Sequence, residues 1–269
     1  MLASELDPLF NGILALGMAI ARLFPCLIIT PIFAFSSLKG MVRGAIVVAL
    51  SLFIAPSIVP TVTGLVLTPW NLVALALKEV VLGVLLGYLL ALPFWLFESV
   101  GALFDSQRGA LNAGQLNPAL GPDATPLGHM LLQWSMIVLV MTSGLSLITQ
   151  VLWDSYQLWP VDSWLPGFGE QGFKQFLSQV QQFFIDMVLY GGPLILLLLL
   201  FDFAVGILSI YSPQLQASVL AIPLKCLAGL LFFILYLPAL EYFAGQQFSA
   251  IHDLIPHLQH ILPARGVGK

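Results

Sequence analysis

The sequence predicts an all-α, integral membrane protein of one domain over residues 1–269, built from hydrophobic helical hairpins that are kinked or broken. Hydrophobic residues make up 59% of the 269 residues and charged residues only 8%, whereas soluble domains carry about 25% charged residues. Long uncharged runs recur along the chain, and prolines interrupt them. These observations exclude most soluble enzymes and disordered chains, and the net charge of -4 offers no basic surface for nucleic acid.

Six apolar segments are predicted to form the main helices, since a helix needs roughly 20 apolar residues to cross a bilayer. The first carries a single charge, Arg22, and the third carries Lys78 and Glu79. The N-terminal residues include Glu5 and Asp7 but no basic residue, so the first segment is expected to be retained and not cleaved as a secretory signal. The six segments are residues 9–35, 44–67, 70–97, 129–152, 187–208 and 220–240.

Two further segments, residues 172–186 and 243–262, are predicted to be amphipathic helices because their apolar residues recur at spacings of three and four. The polar face of the first is rich in glutamine with one lysine, which favours packing against protein over binding to anionic lipid. The second carries three histidines near its polar side, and a solvated face explains them better than a metal site does.

Eight prolines fall within or at the ends of the apolar runs. Each removes a helix hydrogen bond and is expected to kink or break its helix, as Pro56 and Pro60 should do in the second segment. Kinked helices that pack on other subunits can have the released carbonyls satisfied by those subunits. The prolines are Pro25, Pro31, Pro56, Pro60, Pro93, Pro193, Pro223 and Pro238.

Charged residues inside the apolar segments require a partner or water, because a bare charge in hydrocarbon is costly. Arg22 is predicted to bind a partner subunit or a carbonyl near Pro25, or else to reach an interface. Lys78 and Glu79 are adjacent and point about 100° apart on a helix, so they are not expected to pair with each other but to make inter-subunit or interfacial contacts.

Two charges of the last segments, Asp202 and Lys225, are expected to meet if those segments form a hairpin. The two cysteines, Cys26 and Cys226, lie inside apolar runs and are predicted to be buried thiols without a disulfide.

The densest polar cluster precedes the fourth segment. Glu98 and Asp105 are seven residues apart and share a helix face, while Asp105 and Arg108 are three apart and can pair. Gly101 permits close approach of another backbone, and Gly109 permits the chain to leave the helix.

Residues 110–122 follow this cluster and contain no charge and no periodicity. Non-helical backbone at membrane depth is tolerated only where protein or a water-filled cavity surrounds it. The segment is therefore either a neutral stretch that seals an opening or an ordinary cytoplasmic loop.

Catalytic and nucleotide-binding motifs are absent from the sequence: it contains no GxxxxGK[ST], GxGxxG, HExxH or GxSxG pattern. No nucleophile or metal-ligand set accompanies the carboxylates, so we predict no enzyme activity, no cofactor and no metal site. A stand-alone solute transporter or channel is the alternative to a multi-subunit assembly, because broken helices with a few buried charges also suit one. Inverted repeats would support that alternative, and none is visible.

The order of these features resembles the FliR/MopE/SpaR (SctT) family of type III secretion export-gate subunits over roughly residues 10–240. The most specific match is GALFDSQRG at residues 101–109, which resembles G-x-x-[IVLF]-D-x-Q-R-G. Lys78-Glu79 with Gly83 and Gly87 resembles the KE-x3-G-x3-G element, and residues 202–225 resemble the late D-x3-G, PQL and PLK elements. The residues before Pro213, Ile210 and Tyr211, depart from the basic residue of many relatives.

The resemblance implies a structural, pore-forming subunit of the export gate in the bacterial inner membrane, through which unfolded proteins pass. It implies assembly with SctR-type and SctS-type gate subunits and docking on SctU-type and SctV-type components. The lack of a long basic tail favours an injectisome over a flagellar system. The loop after the signature would form a pore plug, with the gating residues Asp105, Gln107, Arg108, Gly109, Leu111, Asn112, Gln115, Leu116, Asn117 and Leu120. Inter-subunit or buried polar contacts would come from Arg22, Lys78, Glu79, Glu98, Asp202 and Lys225.

Overall fold

The computed structural model describes residues 2–33, 40–63, 68–109, 125–142, 144–163, 170–211 and 217–251, and these ranges contain helices and turns but no strand. The prediction of an all-α protein is confirmed. A 3-10 turn at Pro31–Phe33 follows the first helix. The helices are α1 (Leu2–Ile29), α2 (Gly40–Val62), α3 (Pro69–Gln107), α4 (Pro126–Thr142), α5 (Ser146–Leu158), α6 (Glu170–Tyr211) and α7 (Ala217–Ala250).

Five of these helices are long and apolar enough to cross a membrane, and α4 with α5 would add a sixth if they form one broken span. The predicted fourth segment is thus two helices. Gly144 separates them with a φ of 69°, in the left-handed region that glycine adopts without strain. The apolar window of α3 is 61% buried, whereas those of α6 and α7 are only 11% and 17% buried. The faces of α6 and α7 are therefore largely open to lipid or to other proteins.

Most of the prolines lie inside continuous helices. Pro25 lies within α1, Pro56 and Pro60 within α2, and Pro93 within α3. The prediction that Pro56 and Pro60 break the second segment is wrong. A proline removes one backbone bond, but in apolar surroundings no water competes for the remaining helix bonds, so the helix continues through it.

The predicted amphipathic segment at residues 172–186 and the apolar segment at 187–208 form one helix, α6, of 42 residues. No glycine or proline separates the two parts, so nothing ends the helix where its periodicity changes. In the tail, residues 243–250 continue α7, and the rest of the predicted amphipathic segment, after Ile251, lies outside the described residues.

The chain divides into two compact units. The first consists of Met1–Leu92, Ser143–Leu177 and Ala250–Lys269, and the second of Pro93–Thr142 and Ser178–Ser249.

In the first unit, α3 lies directly against α1 because two glycines face the α1 backbone. A Cβ atom at Gly83 would overlap the carbonyl oxygen of Arg22, and one at Gly87 would lie 2.8 Å from the carbonyl oxygen of Cys26. These glycines belong to the KE-x3-G-x3-G element, so its glycines set the helix spacing that brings its charges to α1.

We expect Gly83→Ala to destabilise the first unit strongly, because the added methyl group meets a backbone carbonyl that cannot move without shifting α1. Gly12→Ala on α1 is the matched control, since a Cβ there has nothing within 4 Å. That control should leave stability unchanged or raise it by about 0.5–1 kcal/mol through helix propensity. Thermal unfolding of the two detergent-solubilised variants tests this, and equal melting temperatures would contradict it.

The second unit has an aromatic core contributed by all of its helices. Phe97 of α3 contacts the rings of Trp134, Tyr190 and Phe248 at centroid distances of 5.7, 6.2 and 6.4 Å. Farther along α3, Phe104 lies 6.0 Å from the ring of Phe233. This core fixes the C-terminal end of α3, where the signature sequence lies.

Candidate functional site

The signature turn is organised around Asp105, whose side chain is fully buried in the last turns of α3. One oxygen, Oδ1, accepts hydrogen bonds from Arg108 at 2.8 Å from Nε and 2.6 Å from Nη2. The other oxygen, Oδ2, lies 2.7 Å from the backbone nitrogen of Leu127 and 3.4 Å from that of Gly128. The predicted Asp105–Arg108 pair is confirmed, and the same carboxylate also binds the start of α4.

Leu127 and Gly128 are the second and third residues of α4, whose backbone N–H groups have no partner within the helix. Asp105 therefore caps α4 from another helix, and its negative charge lies at the positive end of the helix dipole. Gly101 makes this contact feasible, because a Cβ there would lie 2.7 Å from the Cα of Gly128. The predicted close approach at Gly101 is confirmed.

The chain leaves α3 at Gly109, which has a φ of 81°, as the predicted helix exit requires. It re-enters the described structure at Thr125, next to the capped end of α4. Asp105 thus ties together the two ends of the 110–124 segment. We call this arrangement of Gly101, Asp105, Arg108, Leu127 and Gly128 the neck.

Arg108 connects the neck to α7. Its side chain is 11% exposed, its Nη1 lies 3.6 Å from the sulfur of Cys226, and its guanidinium carbon lies 5.7 Å from the centroid of the Phe104 ring. Cys226 is an unpaired, half-buried thiol, and Cys26 is an unpaired, buried one. The absence of a disulfide matches the prediction, although Cys226 is less buried than expected.

Two other predicted residues lie beside the neck. Glu98 lies about two helical turns before Asp105 on the same face of α3. Its Oε1 is 3.6 Å from Nδ1 of His129, an exposed residue of α4. Gln107 is half-buried at the end of α3. Six predicted plug residues lie outside the described residues: Leu111, Asn112, Gln115, Leu116, Asn117 and Leu120.

A second polar cluster lies in the first unit and is centred on Arg22, which is fully buried. Its Nε lies 2.5 Å from Oε2 of Glu79. Its Nη1 donates to the carbonyl oxygen of Ser155 at 2.9 Å, and its Nη2 to that of Trp159 at 2.8 Å. The guanidinium also lies 3.9 Å from the centre of the Tyr156 ring, which adds a cation–π contact.

Lys78 completes this cluster from the neighbouring position of α3. Its Nζ donates to the carbonyl oxygens of Val161 at 2.9 Å and Ser163 at 2.8 Å. It also lies 2.9 Å from Oε1 of Glu79. The prediction that adjacent Lys78 and Glu79 do not pair is wrong, because the long lysine stem lets the ammonium turn back toward the carboxylate.

The cluster of Arg22, Lys78 and Glu79 carries a net charge of +1 and faces carbonyl groups at the end of α5 and in the turn that follows. Carbonyls at a helix C-terminus are the negative end of its dipole and stabilise cations. The arrangement joins α1 and α3 to residues 155–163 within one subunit. Arg22 therefore uses carbonyls far along the chain, and not one near Pro25.

The remaining predicted pair is confirmed as well. Nζ of Lys225 lies 2.6 Å from Oδ2 of Asp202, linking α6 to α7. Sequence reasoning missed Asp186 of α6, which is buried and contacts Gln182 and Gln247. Within the residues that the structure describes, no group of three or more histidine, cysteine or acidic residues is placed to hold a metal ion.

Comparison with known proteins gives a consistent result over nearly the whole chain. The sequence profile of the family described as bacterial export proteins, family 1, matches residues 13–251. The Yop proteins translocation protein T of Yersinia pestis is 31% identical over 259 residues, which cover 95% of this chain and 98% of that protein. The surface presentation of antigens protein SpaR of Salmonella typhimurium is 30% identical over 82% of this chain and 81% of its own length.

A more distant similarity extends to flagellar proteins. The flagellar biosynthetic protein FliR of Bacillus subtilis is 27% identical over 152 residues, which cover 56% of this chain and 59% of that protein.

Proposed function

The chain belongs to the bacterial export proteins, family 1, and from this premise we propose that it is a structural, pore-forming subunit of the export gate of a type III secretion system. Membership confirms the resemblance to the FliR/MopE/SpaR (SctT) family that the motifs indicated. Members are structural proteins of the export apparatus and not enzymes. The protein is thus a membrane-embedded component of a secretion apparatus, and its apolar helices agree with that.

The finer proposal concerns what the subunit does. We place it in the bacterial inner membrane, assembled with SctR-type and SctS-type subunits and docked on SctU-type and SctV-type components, where unfolded substrate proteins pass through the gate. The open apolar faces of α6 and α7 support assembly with other hydrophobic subunits. The greater similarity to translocation protein T and SpaR than to FliR favours a virulence-associated system over a flagellar one.

The main structural support for the gate proposal is the neck, in which Asp105 binds both Arg108 and the start of α4. Asp105 binds Arg108 just before the 110–124 segment and the Leu127 N–H just after it, so the residues that flank this segment are held together. A loop whose ends are held by a buried, fully bonded carboxylate can close a channel at rest and remain anchored when its middle is displaced. Leu111, Leu116 and Leu120 would supply the apolar filling of such a plug.

Deleting residues 112–117 is expected to make the membrane permeable to small ions while the gate still assembles, because the deletion removes the plug and leaves the neck intact. The measurement is ion leakage from cells that express the complete gate, combined with purification of the complex. The control is Ser249→Ala on α7, where an exposed hydroxyl bonds only the Gln246 carbonyl of its own helix turn, and it should leave the membrane tight. An assembled complex with a tight membrane in the deletion variant would refute the plug assignment.

The alternative function, that of a stand-alone transporter or channel, is tested by the same purification of the complex. A gate subunit is recovered in mild detergent as a monodisperse complex with other hydrophobic subunits, whereas a solitary transporter is recovered alone or as copies of itself.

A further inference from the structure

Asp186 is a buried carboxylate in the middle of α6, with an exposed fraction of 8%. Its Oδ1 accepts a hydrogen bond from Nε2 of Gln182 at 2.8 Å, and its Oδ2 accepts one from Nε2 of Gln247 at 2.9 Å. The Gln247 amide also donates to the hydroxyl of Tyr190 at 2.9 Å. Charge-assisted bonds of this kind stabilise the ionised carboxylate, so the site is built to hold a negative charge.

The charge of Asp186 is not balanced by a basic side chain within the part of the chain that the structure describes. The two other described buried carboxylates, Glu79 and Asp105, each face an arginine. The strong bases of the second unit are already engaged, since Arg108 binds Asp105 and Lys225 binds Asp202. A buried carboxylate that contacts only neutral amides is costly unless a cation joins it.

The surface around Asp186 indicates where that cation would come from. Ile185 and Leu189 on the same helix are 48% and 59% exposed, and Tyr242 on α7 is 65% exposed. These apolar side chains require a cover of hydrocarbon or of another helix. Lipid hydrocarbon carries no charge and cannot balance Asp186. A helix of a partner protein can supply both apolar residues and one long basic side chain.

We propose that Asp186, together with Gln182 and Gln247, is the receiving site for a lysine or arginine side chain of a neighbouring subunit whose helix packs on α6 and α7. The inference rests on the proposed function and deepens it by giving the chemistry of one partner contact. A long basic side chain places its charged head at the carboxylate while its stem lies on the exposed apolar residues. The amide oxygens of the two glutamines provide acceptors for its further N–H groups.

The test compares the isolated chain with the assembled complex. Asp186→Asn is expected to leave the stability of the isolated chain unchanged or to raise it: the asparagine oxygen still accepts one bond, the Gln182 amide can turn its oxygen toward the new NH2 group, and an unbalanced charge is removed. Stability is read from thiol labelling of Cys226 in a Cys26→Ala background. Co-expression with the SctR-type and SctS-type subunits of the same genome should then yield about tenfold less complex, or a still lower amount, because the partner's cation loses its counter-charge.

Two further variants sharpen the experiment. Asp186→Lys should abolish complex formation through like-charge repulsion, and Asp186→Glu should restore part of it. Glu241→Gln removes an exposed carboxylate from α7 and should change neither readout.

The outcomes are distinguishable. A less stable isolated chain in Asp186→Asn would show that the charge is balanced within this chain and would overturn the inference. An unchanged yield of complex would overturn it too, since lipid or water would then be the neighbour. Failure of the wild-type chain to form any complex would instead count against the proposed function itself.

Discussion

Replacing Glu79 with alanine is expected to unfold the first unit under conditions in which the wild-type chain is folded. The change leaves Arg22 and Lys78 as two buried cations without an anion. Removal of one partner from a buried ion pair costs about 3–5 kcal/mol, a large fraction of the 5–15 kcal/mol typical of folded proteins. Equilibrium unfolding in mixed micelles measures this loss in the free energy of unfolding. The readout is labelling of the buried Cys26 thiol in a Cys226→Ala background.

The matched control for this variant is Asp162→Asn, which neutralises an exposed carboxylate in the turn bound by Lys78. It should change the unfolding free energy by less than about 0.5 kcal/mol. The double variant Arg22→Met with Glu79→Leu should lose less stability than the sum of its single changes, because it removes both charges together. Strict additivity of the two changes would show that the Arg22–Glu79 contact contributes no coupling.

Replacing Asp105 with alanine is expected to open the neck, with the largest functional consequence of any single substitution. The variant loses the cap of α4, which alone is worth about 0.5–2 kcal/mol, and leaves Arg108 without its carboxylate. We expect faster thiol labelling of Cys226, which Arg108 contacts, and ion leakage through the assembled gate. Asp105→Asn should lie between wild type and alanine, because its amide oxygen can still accept from the Leu127 N–H.

The control is Ser106→Ala, at the adjacent exposed position, where the hydroxyl bonds only the Leu103 carbonyl of its own helix turn. It should preserve both the labelling rate and the tight membrane. If Asp105→Ala leaks no ions but labels faster at Cys226, the neck is a stabilising element without a gating role.

The local pairs of the site were predictable from the sequence. Asp105 and Arg108 are three residues apart, so helix geometry alone brings them together. Asp202 and Lys225 follow from a single assumption, that two successive apolar helices form a hairpin. Gly101 and Gly109 were recognisable because only glycine suits a backbone contact or a left-handed exit.

The distant backbone groups that Arg22 and Asp105 bind were not predictable. Arg22 binds the carbonyl oxygens of Ser155 and Trp159, which are 133 and 137 positions farther along the chain. Asp105 binds the N–H of Leu127, which is 22 positions farther along. Backbone donors and acceptors occur at every residue, so the sequence carries no mark of which ones a buried charge will use. Lys78 and Glu79 were misjudged for a related reason, since ideal helix directions ignore the freedom of a long side chain.

The sequence by itself determined that this protein is helical, embedded in a membrane and a member of an export family, because hydropathy and short motifs depend only on the order of the residues. Tertiary structure decided that most of the prolines lie within continuous helices, that one carboxylate binds the residues on both sides of the 110–124 segment, and that Asp186 is buried without a cation in the described part of the chain. Those features depend on which distant backbone and side-chain groups folding brings into contact, and only the packed chain fixes those distances.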